Sequence, residues 1–119
     1  MIETDTLLSS IIAGAQEKKA KKIVTIDLSS IEESICKYFV VCEGTSNSHI
    51  MGVTDSIKNF VRTNLGEYAS ATDGYDNAQW IAIDYGDIMV HIFNREARQF
   101  YDIEHLWGDA RIQEIADLD

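Results

Sequence analysis

The chain contains no proline among its 119 residues and only seven glycines. Without proline, its turns must be made by Gly, Asn, Asp and Ser, so clusters of those residues mark the element boundaries. No apolar run approaches the roughly 20 residues that span a bilayer. The opening Met1-Ile-Glu-Thr-Asp-Thr6 carries acids where a secretory leader carries a basic region. The expectation is a cytoplasmic protein with no membrane contact. Cysteine is scarce too. Cys36 and Cys42 lie beside or within an apolar stretch and lack Cys-x-x-Cys spacing, which points to reduced, buried thiols rather than a disulfide or a zinc site. The largest deficit is in positive charge: ten Lys plus Arg face twenty Asp plus Glu, a formal net charge of -10. Such a field repels phosphate backbones, which argues against nucleic acid as the main contact. It favours a basic protein partner and speeds the encounter with it.

What is present suffices for one domain spanning residues 1–119. Apolar residues make up 45% of the chain, enough for a core at this length, and there is no repeat, low-complexity segment or linker. Leu7, Leu8, Ile11, Ile12 and Ala15 follow the candidate caps Thr4, Asp5 and Thr6 at helical spacing, which predicts a helix over 5–20 closed by Lys18, Lys19, Lys21 and Lys22. That basic run is a solvated helix end or, on the sharper reading, an RNA contact. Residues 22–28 alternate and are rich in β-branched side chains, a first strand, and 29–37 read as a loop with one helical turn. Tyr38 to Glu43 is a continuous apolar run, the pattern of a strand covered on both faces. Ser46 and its polar neighbours then precede Ile50, Val53, Ile57, Phe60, Val61 and Leu65, one helical stripe over 46–65 that ends at Gly66. A short strand is expected at 67–71, a polar loop at 72–77, a hairpin from strands 79–85 and 87–94, and helices at 95–101 and 104–118, interrupted around Gly108. The sum is an α/β (α+β) domain with a sheet of about five strands flanked by helices.

The hairpin Trp80-Ile-Ala-Ile-Asp-Tyr-Gly-Asp-Ile-Met-Val-His-Ile-Phe93 draws attention because two apolar arms enclose the polar tip Asp84-Tyr85-Gly86-Asp87. By the two-residue strand period, Trp80, Ala82 and Asp84 share one side while Ile81, Ile83 and Tyr85 share the other. Trp80, Asp84 and His91 are thereby candidates for a shared rim. Aromatic residues beside acids and a glycine turn suit a protein-binding hot spot, and they equally suit ordinary hairpin packing with a half-buried Trp80 and a core His91. In the tail, Phe100, Tyr101, Ile103, Leu106 and Trp107 are expected mainly in the core, with a surface groove or a self-association patch, the latter implying a homodimer, as the alternative.

Chemistry finds no motif. Gly44-Thr45-Ser46 before a helix is compatible with the phosphate-gripping turn of a nucleotidyltransferase, yet metal-dependent phosphoryl transfer needs convergent carboxylates, commonly at i and i+2 of one strand. Asp84 and Asp87 stand three apart across a turn, Glu43 supplies no pair, and no Lys or Arg directly flanks the glycine. His49, His91 and His105 match no metal-ligand spacing. No cofactor is implied.

Three blocks in order give the chain a resemblance: Tyr38-Phe-Val-Val with Gly44-Thr-Ser-Asn-Ser-His49, then Trp80-x-x-x-Asp-Tyr-Gly-Asp-x-x-Val-His-Ile-Phe93, then Arg98-x-x-Tyr-Asp-x-Glu-x-Leu-Trp107. Together they resemble the ribosomal silencing factor family, RsfS, also called Iojap-like or YbeB, over roughly residues 5 to 107. Lys37 stands where that family's first block usually has Asp. The resemblance implies a nucleotidyltransferase-like fold without catalytic acids and a non-enzymatic factor. Such a factor binds the large ribosomal subunit through the ribosomal protein of the uL-fourteen type, blocks subunit association and represses translation, with large-subunit maturation as a further role. Its partner-binding residues are expected to be Trp80, Asp84, Tyr85, Gly86, Asp87 and His91. A nucleotidyltransferase-related enzyme acting on nucleotide or RNA is the alternative.

Overall fold

Six strands pair into one mixed sheet in the order β3-β4-β5-β2-β1-β6, as seen in a computed structural model that describes residues 3–31, 34–108 and 110–118. The chain runs α1 (Thr4–Glu17), β1 (Lys21–Asp27), β2 (Tyr38–Glu43), α2 (Asn47–Leu65), β3 (Ala71–Asp73), β4 (Trp80–Asp84), β5 (Ile88–Phe93), α3 (Arg95–Tyr101), a 3₁₀ turn (Ile103–His105) and β6 (Arg111–Glu114). Among the described residues, only β2 and β5 pair in parallel; every other neighbouring pair is antiparallel.

The two-residue period of the strands explains the two cores. Ile81, Ile83, Ile88, Val90 and Ile92 of the hairpin, with Val40 and Cys42 of β2, face Leu7, Ile11 and Ala15 of α1 and Ile50, Val53, Ile57 and Val61 of α2. The alternate residues Val24, Ile26, Phe39, Val41 and Phe93 face the other way, under Ile103, Trp107 and α3. β2 is thus buried on both faces, as its unbroken apolar run predicts. Each fully buried Ile or Val stabilises the fold by about 1.5–3 kcal/mol relative to exposure. The two long helices approach closely at Gly14, where an added Cβ would lie 2.8 Å from the Ile57 Cα.

Helix α2 forms as its pattern predicts, with Ser46 accepting the His49 N–H at 3.0 Å and Gly66 closing the C-terminus at φ 69°. Helix α1 differs at both ends. Thr4 does not cap it, because its hydroxyl donates to Asp87 Oδ2 across the fold at 3.0 Å. The helix stops at Glu17 rather than residue 20, since Lys19 takes a left-handed φ of 57° that turns the chain into the sheet; Lys21 and Lys22 therefore belong to β1.

Three expectations are corrected. The sheet has six strands rather than about five. The strand expected at 67–71 forms instead at Ala71–Asp73, because those residues pair with Ala82–Asp84. Among the described residues of 104–118 no α-helix forms: Asp102, at φ 44°, ends α3, one 3₁₀ turn follows, and Arg111–Glu114 extends along the free edge of β1. All four β6 residues are exposed, so the backbone hydrogen bonding of an open sheet edge, rather than side-chain burial, makes this segment a strand. Glu32 and Glu33 of the predicted 29–37 loop lie outside the described residues.

Candidate functional site

The register of the β4–β5 hairpin sets Trp80 opposite Phe93, Ala82 opposite His91 and Asp84 opposite Met89, all on the sheet face away from α1 and α2. β3 adds Asp73 opposite Ala82 and Ala71 opposite Asp84, and both are exposed. Helix α3 covers this face only at its Phe93 end. Trp80, Ala82, Asp84 and Met89 remain partly exposed, an open patch of apolar surface with two carboxylates on it.

Aromatic rings border the patch in a continuous row. Trp80 stacks on Phe93 with centroids 4.9 Å apart and meets Tyr101 at 4.7 Å; Tyr101 meets Phe100 edge to face at 5.0 Å. Deeper in, His91 lies 4.7 Å from Phe39, which contacts Trp107 at 6.3 Å. The tail aromatics therefore divide. Ile103 is buried and Trp107 packs partly buried on the core, but Phe100 is 80% exposed, Tyr101 50% and Leu106 65%, contrary to the expectation of mainly core positions. The seven-residue α3 has one inward stripe, and Arg98 occupies it.

His91 is at the centre of the face and beneath it, 5% exposed, rather than on a rim. The Trp80 indole N–H donates to its Nδ1 at 3.0 Å. Burial drives the imidazole pKa down to about 4, so the ring is neutral near pH 7. Tyr85 turns to the opposite side and packs partly buried on the α1–α2 core. Burial pushes its phenol up to about 12, and among the described residues its hydroxyl has no hydrogen-bond partner.

The tip is built for shape. Gly86 adopts φ 86°, a conformation glycine reaches without steric cost, and its N–H donates to Asp84 Oδ1 at 2.8 Å. Asp87 is exposed, accepts the Thr4 hydroxyl and lies 3.8 Å from Lys37 Nζ. Its carbonyl accepts the N–H groups of Lys37 and Tyr38, anchoring the tip to the start of β2. Of the six expected site residues, the fold thus unites Trp80, Asp84 and His91 on one face, sets Gly86 and Asp87 at the adjoining tip, and points Tyr85 away.

Arg98 lies outside the six expected site residues. It is 8% exposed and donates to Glu104 at 2.6 and 3.0 Å, to Glu43 at 3.0 Å and to the Lys22 carbonyl at 2.7 Å. Burial opposes its charge, but Glu104 and Glu43 outweigh that and hold the guanidinium more firmly protonated than usual. The signal available in the sequence was an arginine six residues before a glutamate on a short apolar segment.

The Gly44-Thr45-Ser46 turn lines a cleft of about 530 Å³ with Lys21, Lys22 and Arg95. The fold thus brings cations near the glycine that do not flank it in sequence. Glu43, Glu96 and Asp117 line the same cleft and balance them. The turn's donors are already engaged, the Thr45 N–H with His49 Nδ1 at 2.9 Å and the His49 N–H with Ser46. The three histidines lie apart: His49 donates Nε2–H to the Lys18 carbonyl at 2.7 Å and His105 pairs with Asp102 at 2.6 Å. Among the described residues, no three His, Cys, Asp or Glu converge as a metal site, and no helix is long and apolar enough to cross a membrane.

Comparison with known proteins points one way. A family model described as "Ribosomal silencing factor during starvation" matches residues 2–119. The chain is 33% identical to the ribosomal silencing factor RsfS of Bacillus subtilis over 96% of its length and 92% of that protein's. It is 32% identical to the RsfS of Halalkalibacterium halodurans, with 92% of each covered. These relatives are named as silencing factors, not enzymes. A crystal structure of a Chromobacterium violaceum protein superposes with a TM-score of 0.84 at 26% identity, covering 98% of this chain and 92% of that one.

Proposed function

The chain belongs to the ribosomal silencing factor family, and we propose that it docks on the large ribosomal subunit through a basic ribosomal protein of the uL-fourteen type, keeps the small subunit from joining, and so represses translation in the cytoplasm. The observation that carries this reading is the open face of the β4–β5 hairpin. It exposes Trp80, Tyr101 and Met89 beside Asp84 and Asp73 on a chain of net charge -10. An amphipathic aromatic flanked by carboxylates fits a partner that offers both apolar surface and cations, whereas the same charge repels ribosomal RNA.

Each expected residue takes a role suited to its place. Trp80 supplies the buried anchor and Asp84 and Asp87 meet basic groups, while Gly86 permits the tip and Tyr85 braces it from behind. Truncating a central aromatic anchor costs about 2 kcal/mol of binding or more, roughly thirtyfold in affinity.

Co-sedimentation with separated ribosomal subunits in rising salt tests the reading. The expected result is binding to large subunits that weakens with salt and falls at least about thirtyfold in Trp80→Ala. Unchanged co-sedimentation of a folded Trp80→Ala protein would sink the assignment of this face.

A further inference from the structure

We propose that His91 is a positioning residue for docking: by accepting the Trp80 indole N–H at its Nδ1, it fixes which edge of that ring is turned toward the partner. The inference rests on the docking role of Trp80 given above. Stacking on Phe93 and contact with Tyr101 define the plane of the indole. A ring held only by its faces retains two orientations related by a flip, and only one places Nε1 over His91. The 3.0 Å hydrogen bond selects that one.

The chemistry of His91 fits this role better than it fits packing. The indole N–H is only a donor, so Nδ1 must be the unprotonated nitrogen and the neutral ring carries its proton on Nε2. Nε2 is buried and, among the described residues, has no partner. A leucine or methionine would fill the same space beside Phe39 and Phe93 without leaving a buried polar atom unpaired. What histidine alone contributes is an acceptor under Trp80, held rigidly by the rings around it. An oriented anchor loses less freedom on binding, which favours affinity.

The test uses the full chain and isolated large ribosomal subunits as the probe. His91→Leu removes the acceptor at similar volume. His91→Asn retains an oxygen close to the Nδ1 position. In ¹⁵N-labelled protein, with Trp107→Phe used to assign the two indole signals, His91→Leu is expected to shift and broaden the Trp80 indole N–H resonance. It is also expected to weaken subunit binding by about tenfold. His91→Asn should restore both. In a Trp80→Phe background, which has no indole N–H, His91→Leu should have no further effect on binding. If His91→Leu fails to fold, His91→Ala, which likewise offers no acceptor, takes its place in each comparison.

An unmoved Trp80 indole resonance in the acceptor-free variant would overturn the inference. So would equal losses of affinity in His91→Leu and His91→Asn, or an undiminished effect in the Trp80→Phe background. Loss of the docking reading itself is separate: it would show as Trp80→Ala binding normally, whatever the resonance does.

Discussion

Lowering the pH should destabilise this protein through His91 in a way that one substitution removes. The imidazole titrates near 6.5 in an unfolded chain and is pushed down to about 4 by burial here. Between those values the unfolded state takes up a proton that the folded state refuses. His91 therefore costs no stability above about pH 7, costs progressively more as pH falls from 6.5 to 4, and adds nothing further below that. Integrated over the shift, the loss is about 2 kcal/mol at pH 5 and about 3 kcal/mol at pH 4. Carboxylates titrate in the same window, so the informative quantity is a difference. Urea unfolding of the parent and of His91→Gln, followed by tryptophan fluorescence from pH 7.5 to pH 4, cancels the groups common to both. A constant offset from any change in the Trp80 hydrogen bond is irrelevant; the slope is what counts. With urea slopes of 1–3 kcal/mol/M, the parent's midpoint should fall by about 0.7–2 M relative to the variant's between pH 7 and pH 5. A pH-independent difference between the curves would show that His91 is hydrated or charged in the folded protein, and the account of its burial would fail.

Two further substitutions probe the frame around the site. Arg98→Ala leaves Glu43 and Glu104 largely buried without their cation, and the expected cost is about 3 kcal/mol, a fall of roughly 10 °C in the thermal midpoint; a change below about 2 °C would refute the clamp. Gly74→Ala places a Cβ 2.1 Å from the Trp80 carbonyl oxygen at a φ of 105°, and a cost of about 2 kcal/mol or more is expected, with a displaced Trp80 visible as a change in near-ultraviolet circular dichroism. A spectrum identical to the parent's would show that the loop yields without moving β4.

How much of this was legible in the sequence depended on whether one period dominated a segment. In α2 the three-and-four spacing from Ile50 to Leu65 and the Ser46 and Gly66 boundaries agree, and the helix forms where they place it. In β4 and β5 the two-residue alternation gave the hairpin and its two faces. The tail had no such agreement: Leu106, Ile112, Ile115 and Leu118 are spaced loosely enough to suggest a helix, and only the presence of an unfilled β1 edge, a tertiary fact, makes 111–114 a strand. The candidate site shows the same division. Trp80, Asp84 and the tip could be read from local pattern, whereas the tilted contact of Tyr101 with Trp80 joins residues twenty-one positions apart through the β4–β5 hairpin and helix α3, which no local signal relates. His91 was legible as a residue of interest, but strand alternation cannot tell a rim from a buried centre when the covering helix is short.

The parallel seam between β2 and β5 also bears on how the molecule comes into being. Each rung joins residues fifty positions apart, from Tyr38 with Ile88 to Glu43 with Phe93, and β3, β4 and β5 meet β2 and β1 only along this line. The β4–β5 hairpin and the α2 helix can arise from local contacts. The seam must close a long loop before its contacts return any stability, which makes it the slow event in folding. Val41→Ala, a truncation on the seam, should accordingly retard refolding more than it hastens unfolding, a ratio that stopped-flow chevrons read directly. The face proposed for docking lies on the β5 side of that line, but His91, which holds Trp80, pairs with Val41 across it, so on the proposed function a newly made chain cannot orient that anchor until its last-formed contacts are in place.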